Sequence, residues 1–192
     1  EDHTMNISEA VMKADEGKHI NDLKDAEVST LQGIGKFSSE VLKSLGVQTV
    51  ADLAKYKFFL MARSLKTLAE TEVKGDRPEG SVMNVDKAVD KSWEAKSLTE
   101  IVEAPTEALE GIGDDACELL ESLGVKSIGD LADFKYCRWA EAIVNISAYE
   151  ELKTAKQRKI EAALRKLKQE RELLQRDFLL LQPKKGTANW LG

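Results

Sequence analysis

The chain has 192 residues and a net charge of −6, with 42% hydrophobic, 32% charged and 6% aromatic residues. This composition is too apolar for a disordered protein, and the acidic balance gives the chain as a whole no attraction to nucleic acid or anionic lipid. No apolar run approaches the roughly 20 residues of a membrane-spanning helix.

The chain contains one unit twice. The stretch LQGIGKFSSEVLKSLGV at 31–47 returns as LEGIGDDACELLESLGV at 109–125, and residues 5–72 align without a gap on residues 83–150 at an offset of 78. Such self-similarity indicates duplication of one supersecondary unit. We call 5–72 repeat 1 and 83–150 repeat 2. Residues 73–82, with Gly, Pro and charges, are the predicted linker.

Helical spacing of apolar residues runs through both repeats. The elements predicted for repeat 1 are, in chain order, a short helix over 18–31, a helix over 36–45, a helix capped by Thr49 through Val50, Leu53 and Ala54, and a helix through Ala62, Leu65 and Leu68. Repeat 2 has the same elements, with Ser127 as the equivalent cap. No long segment shows the alternation of apolar and polar residues that is typical of a β-strand, so the predicted fold is all-α.

Glycines mark the turns of both repeats. Small residues suit a tight turn between closely crossing helices, and a glycine after a helix adopts positive φ at little cost. The predicted structural turn residues are Gly33, Ile34, Gly35 and Gly46 in repeat 1, and Gly111, Ile112, Gly113 and Gly124 in repeat 2.

The residue pattern after repeat 2 predicts one long amphipathic helix over 151–182. From about Tyr149 to Leu181 there is neither Pro nor Gly, and apolar residues recur at steps of three and four. This helix would span roughly 45 Å and end before Pro183. Residues 150–192 carry 11 Lys/Arg and 6 Asp/Glu, so this segment is basic and the rest acidic. The helix either folds back on repeat 2 or projects and docks on a partner.

The last residues, 183–192, predict an extended arm. The polar stretch PKKGTAN precedes a Trp-Leu pair, and Trp is enriched at interface hot spots. The predicted partner-docking residues are Phe178, Leu181, Trp190 and Leu191.

The sequence contains little that indicates a catalytic site. His3 lies near a terminus and His19 among polar helical residues, while Cys117 and Cys137 match no zinc pattern and suggest free thiols. There is no phosphate-binding glycine loop and no nucleophile motif. We therefore expect a non-enzyme with no catalytic residue, no metal and no cofactor.

The turn regions resemble the helix-hairpin-helix family. The resemblance rests on Gly33-Ile34-Gly35, Ser39, Leu42 and Leu45-Gly46-Val47 in repeat 1, and on Gly111-Ile112-Gly113, Cys117, Leu120 and Leu123-Gly124-Val125 in repeat 2. It implies two tandem hairpin modules. Many members of the family bind a DNA phosphate with the turn amides, whereas PsbU-type extrinsic photosystem II proteins use the hairpin for packing and dock on a larger complex.

Charges at the turns favour packing over phosphate binding. Asp114 and Asp115 follow the second turn and would occupy electrostatically the place of a phosphate at a helix start. The first turn is followed by Lys36 and Lys43, with Glu40 between them. The first hairpin is thus the better candidate for a nucleic-acid contact.

The expected function is that of a non-catalytic linker or assembly subunit that bridges protein components of a larger complex, with a photosystem–antenna complex as the setting that the resemblance implies. The alternative is a DNA- or RNA-binding protein that uses the first hairpin and the basic helix. The expected location is soluble or peripheral to a membrane complex inside the cell. The start at Glu1 leaves room for a removed transit peptide and hence for the chloroplast.

Overall fold

The computed structural model describes residues 3–183, which form an all-helical structure without a β-strand and confirm the predicted fold class. Repeat 1 contains α1 Ile20–Lys24, α2 Lys36–Ser44, α3 Val50–Ala54 and α4 Lys57–Ala69. Repeat 2 contains α5 Leu98–Glu103, α6 Asp114–Ser122, α7 Ile128–Ala132 and α8 Lys135–Ser147. Each helix of repeat 2 begins 78 residues after its counterpart.

The first predicted helix of each repeat is shorter than expected. Instead of one helix over 18–31, α1 ends at Lys24 and a 3₁₀ turn covers Val28–Thr30. Between them the backbone is extended, because it pairs with the segment before α3: the N–H of Val28 donates to the Gln48 carbonyl and the N–H of Val50 to the Ala26 carbonyl, both at 2.9 Å. The same arrangement ends α5 in repeat 2.

The predicted caps of α3 and α7 are confirmed. The Thr49 hydroxyl accepts a hydrogen bond from the Asp52 N–H, and the Asp52 carboxylate accepts one from the Thr49 N–H, both at 3.1 Å. Ser127 and Asp130 form the same reciprocal pair at the start of α7. Each pair satisfies amides that a helix start leaves without partners.

The two repeats interlock. The last helix of repeat 1, α4, packs against α5 and α7 of repeat 2, and the last helix of repeat 2, α8, packs against α1 and α3 of repeat 1. One hydrophobic core therefore runs through both repeats, and residues 5–150 form one compact unit. Each repeat is completed by a helix from the other.

An internal pseudo-twofold relation follows from these exchanges. Arg63 and Glu141 occupy equivalent positions of the two repeats and are joined by a salt bridge. Two equivalent positions can touch only close to the axis that relates them. The duplicated chain is thus arranged like a symmetric dimer whose halves are covalently joined.

Carboxylates cap helices across the repeats. The N–H groups of Ile20 and Asn21, at the start of α1, donate to the Glu150 carboxylate at 2.9 and 3.0 Å. The equivalent Glu72 accepts from the N–H groups of Leu98 and Thr99, at the start of α5, at 2.8 and 3.1 Å. Negative charge at a helix start satisfies free amides and opposes the helix dipole.

Replacing Glu150 by alanine is expected to lower the free energy of unfolding by about 1–2 kcal/mol at neutral pH, because α1 has no other side-chain cap. Glu72→Ala should cost less, since Ser97 also caps α5. Chemical denaturation of the full chain measures both values. The control is Glu70→Ala, which exchanges an exposed residue for the one found at the equivalent Ala148.

The same cap gives a pH dependence. Burial acts to raise the pKa of Glu150, but hydrogen bonds from Asn21 and Ile20 outweigh it and hold the pKa below the ordinary 4.5. The folded state therefore releases this proton more readily than the unfolded state, so the stabilisation is present above pH 4.5 and is lost as the pH falls through the lowered pKa. The difference between wild type and Glu150→Ala should shrink below pH 4.5, and a constant difference would contradict the role of charge.

The second unit is described from Glu151 to Pro183 and consists mainly of α9, Ala155–Leu181. The helix has 27 residues, or about 40 Å at 1.5 Å per residue. It begins later than the predicted position 151, because the Thr154 side chain accepts from the Gln157 N–H and the Gln157 side chain accepts from the Thr154 N–H. Of the helices within residues 3–183, none is long and apolar enough to cross a bilayer.

Candidate docking surface

The start of α9 is fixed by local polar contacts. Besides the Thr154 cap, the Lys153 ammonium lies 2.8 Å from Glu161 and 3.0 Å from Glu151. Hydrogen bonds to these two carboxylates raise the pKa of Lys153 above its ordinary value, so it stays charged at neutral pH. The cap and these pairs define where the helix begins, and the helical period determines which residues share a face.

One face of α9 carries apolar residues at alternating steps of four and three. Such spacing corresponds to the a and d positions of a heptad repeat, which keep one stripe on a single side of a helix. The residues at these positions, which we call the seam, are Ile160, Leu164, Leu167, Arg171, Leu174, Phe178 and Leu181. Every apolar residue of the seam is more than half exposed.

The C-terminal third of α9 is apolar on a second face. Leu173, Leu179 and Leu180, which we call the outer leucines, occupy b and c positions and are also more than half exposed. The predicted docking residues Phe178 and Leu181 belong to the seam in the same third of the helix, with exposed fractions of 64% and 83%. The other two, Trp190 and Leu191, fall outside the described residues.

Charges are distributed unevenly around α9. The seam is flanked at e and g positions by Glu161, Lys168, Glu170 and Asp177, with uncharged residues at the remaining flanks within the seam's length. The excess positive charge lies instead at b, c and f positions. This outer basic face consists of Arg158, Lys159, Arg165, Lys166 and Arg176. The basic character of the helix therefore belongs to the side away from the seam.

The glycine turns pack against aromatic rings of the opposite repeat. Gly33 has φ +101° and lies against Tyr136, while Gly111 has φ +98° and lies against Phe58. Both turns lead into a helix, α2 or α6. This geometry gives the glycines a packing role in both repeats, because a side chain there would need a strained backbone and would meet the ring.

The turns differ in charge, as the sequence predicts. Asp114 and Asp115 lie in the first turn of α6, whereas α2 begins with Lys36. Both helices lack a side-chain cap. In α6 the two carboxylates supply the negative charge that favours a helix start.

Reactive side chains are scattered or buried. Cys117 and Cys137 are free thiols in the core, and burial raises the pKa of Cys137 far above its ordinary value, so this thiol stays protonated. Cys117 lies 3.4 Å from the Thr106 hydroxyl. Among residues 3–183 there is no group of three or more His, Cys, Asp or Glu side chains placed to hold a metal ion.

A shallow apolar depression of about 340 Å³ lies on the compact unit beside α4. Its lining consists of Leu60, Met61, Ser64, Leu65, Leu68, Val85 and Ala88. A site for a small molecule normally adds a few converging polar groups to an apolar wall. This depression offers one hydroxyl, so α9 remains the stronger candidate for a functional surface.

Two features of α9 were missed by reasoning on the sequence. The apolar steps of three and four were noted, but their heptad register, which places Arg171 within the seam, was not. The separation of the outer basic face from the seam flanks was also missed, although both features follow from assigning heptad positions along the helix.

Comparisons of the chain with protein-family models, with curated proteins and with solved structures found no significant match.

Proposed function

We propose that the chain is a non-catalytic linker or assembly subunit that joins components of a larger protein complex. The observation that carries this proposal is α9: a 27-residue helix whose apolar side chains are all exposed. The compact unit at 5–150 would serve as one attachment point and α9 as another.

Exposed apolar area of this extent supports a docking role. Contiguous apolar patches above a few hundred Å² usually mark interaction sites on soluble proteins. Full burial of each Leu or Phe side chain contributes about 1.5–3 kcal/mol of gross hydrophobic free energy. Along α9 the apolar side chains of the seam are each more than half exposed. This apolar face is the surface that we propose binds another protein.

The setting is proposed from resemblance alone. PsbU-type proteins combine helix-hairpin-helix packing with docking on photosystem II, and this chain shares the turn pattern and the acidic balance of its main body. We therefore propose a photosystem–antenna complex in the chloroplast as the first setting to test. Peripheral attachment to such a complex needs no membrane-spanning helix.

A second candidate function is nucleic-acid binding, which the outer basic face of α9 favours. Five Lys and Arg side chains on one side of a helix could follow a phosphate backbone, with Lys36 and Lys43 of α2 as a further contact. The acidic first turn of α6 opposes this use, because Asp114 and Asp115 repel phosphate. We expect duplex DNA to bind no more tightly than about 10⁻⁴ M at physiological salt.

The test of the assembly role is incorporation in the source cells. Tagged full-length chain is expected to co-purify with a discrete complex at fixed stoichiometry, and mass spectrometry would identify its subunits. Phe178→Asp with Leu181→Asp should reduce recovery of the complex at least about tenfold, because charge cannot be buried at an apolar contact. Photosystem and antenna subunits in the complex would support the proposed setting.

The matched control places the same two charges on the opposite side of the same helix. Ala162→Asp with Gln169→Asp occupies f positions and should leave recovery unchanged. Equal losses in both pairs would refute docking through the apolar face. A salt-dependent DNA complex below about 1 µM that is lost on Lys36→Glu would favour the nucleic-acid function instead.

A further inference from the structure

The seam of α9 has the pattern of a two-stranded coiled coil. From Ile160 to Leu181 the steps of four and three continue without a break over three heptads. A repeat averaging 3.5 residues keeps the apolar stripe facing one partner helix as two helices wind around each other with left-handed supercoiling. From Ile160 to Arg171 the apolar stripe is narrow, as expected for contact with one helix rather than with a broad surface, and only the C-terminal third adds the outer leucines.

The charges beside the seam fit a second copy of the same helix. In a parallel pair each g residue faces the e residue five positions later on the other helix. Lys156 would then face Glu161 of the second copy, a pair of opposite sign. The other three pairings set one charged residue against an uncharged one: Ala163 with Lys168, Glu170 with Gln175, and Asp177 with Gln182. No like charges meet at the flanks.

An antiparallel pair would be less favourable. In that arrangement g residues face g residues, and a residues layer against d residues. In one register Arg171 is layered against Leu167 of the second copy, and Glu170 then faces Glu170 of that copy. In the next register Arg171 is layered against Leu174 of the second copy, and Glu170 then faces its Asp177. These two registers overlap the seam most fully, and both bring carboxylates together, which costs free energy.

An acidic partner helix is also disfavoured by where the positive charges lie. The outer basic face points away from the seam, and the flanks carry more carboxylates than ammonium or guanidinium groups. A strongly acidic helix in the seam would meet Glu161, Glu170 and Asp177. A second copy of α9, by contrast, keeps both basic faces on the outside of the pair.

Arg171 sets the register. In a parallel, in-register pair the two Arg171 side chains share one a layer, and each long side chain reaches out of the seam, where its guanidinium can bind Glu170 at the g position of the other copy. A shift by one heptad would place it against Leu164 or Phe178 and separate it from that carboxylate. A single charged residue in an apolar seam commonly lowers stability while fixing alignment.

We propose that α9 forms a parallel, in-register, two-stranded coiled coil with α9 of a second copy of this chain. The pairing buries the seam, including Phe178 and Leu181. The outer leucines and the outer basic face remain exposed and available to other components. This inference deepens the proposed function and rests on it only for the role of the outer leucines: Phe178 and Leu181 would act in assembly through the pairing, and the pairing itself needs no other component.

Analytical ultracentrifugation of the purified full-length chain tests the pairing. At about 10 µM, a concentration at which a coiled coil of sub-micromolar Kd is mostly paired, the mass should be close to twice the 21.3 kDa of the chain. Leu164→Asp with Leu167→Asp should give a monomer at the same concentration. The f-position pair Ala162→Asp with Gln169→Asp should remain dimeric. A monomeric wild type, or equal effects of both pairs, would overturn the proposal.

Disulfide formation tests the orientation. In a parallel pair Ile160→Cys brings two thiols into one layer, and mild oxidation should link most of the protein through this bond. In the antiparallel register centred on Arg171 and Leu167 the two thiols would lie roughly 27 Å apart along the helices. Ala162→Cys, on the outer side of the helix, is the matched control and should link poorly. If the Ile160→Cys variant is dimeric but forms no disulfide between its two copies, the parallel arrangement is wrong.

The two tests separate this inference from the proposed function. The pairing is measured by mass on the purified chain, whereas the assembly role is measured by recovery of a complex from cells. A monomeric chain that is still incorporated would overturn the coiled coil and leave the assembly role in place. A dimeric chain that enters no complex would support the coiled coil and remove the assembly role.

Discussion

Replacing Phe59 by alanine is expected to lower the free energy of unfolding of the compact unit by about 3–5 kcal/mol. Phe59 is fully buried at 0% exposure, and its ring also lies 5.4 Å from the Arg63 guanidinium. It belongs to α4, which packs against two helices of repeat 2. The loss should therefore appear as one cooperative transition of both repeats, measured by urea denaturation followed by circular dichroism.

Phe37→Ala provides the matched control. Phe37 also lies on a helix of repeat 1, but its side chain is 65% exposed, so removing it leaves no cavity. We expect its effect on the same free energy to stay within about 0.5 kcal/mol. Two separate unfolding transitions in Phe59→Ala, one for each repeat, would contradict the shared core.

Gly33→Ala should lower the free energy of unfolding by about 2–4 kcal/mol. Part of this cost arises because an alanine at φ +101° is strained, by about 1–2 kcal/mol. The rest arises because the added Cβ would overlap the Tyr136 hydroxyl oxygen. Gly111→Ala has nearly the same φ, but its Cβ would lie 3.2 Å from the Phe58 ring, so a smaller loss is expected there.

Tyr136→Phe separates the two causes. Without the hydroxyl, the nearest Tyr136 atom to the added Cβ is the ring carbon at 3.3 Å, close to the spacing at Gly111. Gly33→Ala in the Tyr136→Phe background should therefore cost about as much as Gly111→Ala in the wild type. Thermal and chemical denaturation of the four proteins of this cycle give the coupling directly. A coupling near zero would show that backbone strain alone accounts for the loss.

The local structure could be predicted from the sequence because its signals are local. Thr49 and Ser127 precede apolar helical patterns with Asp three residues later, and both form the expected caps. Gly46, which follows α2, likewise has the positive φ expected of a glycine after a helix, at +83°. The helix predicted over 18–31 is the exception. It is shorter in the structure because backbone pairing with Gln48 and Val50 outweighs helix propensity there.

The exchange of α4 and α8 between repeats could not be predicted in this way. Amphipathic spacing shows which face of a helix is buried but does not identify the helix that covers it. Glu72 and Glu150 appear as ordinary charged residues near helix ends, and their amide partners lie 26 and 130 residues away. For the docking surface, the apolar steps were visible in the sequence, whereas exposure of the whole stripe required the structure.

The long-range cap on α1 has a consequence for synthesis of the chain. Ile20 leaves the ribosome 130 residues before its partner Glu150, an interval on the order of ten seconds at ordinary elongation rates. Throughout that time α1 and α3 lack α8, the helix that covers their apolar sides. Repeat 1 therefore emerges first but cannot finish folding until residue 150 has also left the ribosome. A nascent chain of this kind presents its unfinished apolar surface to chaperones, and its final folding step awaits the last helix of the second repeat.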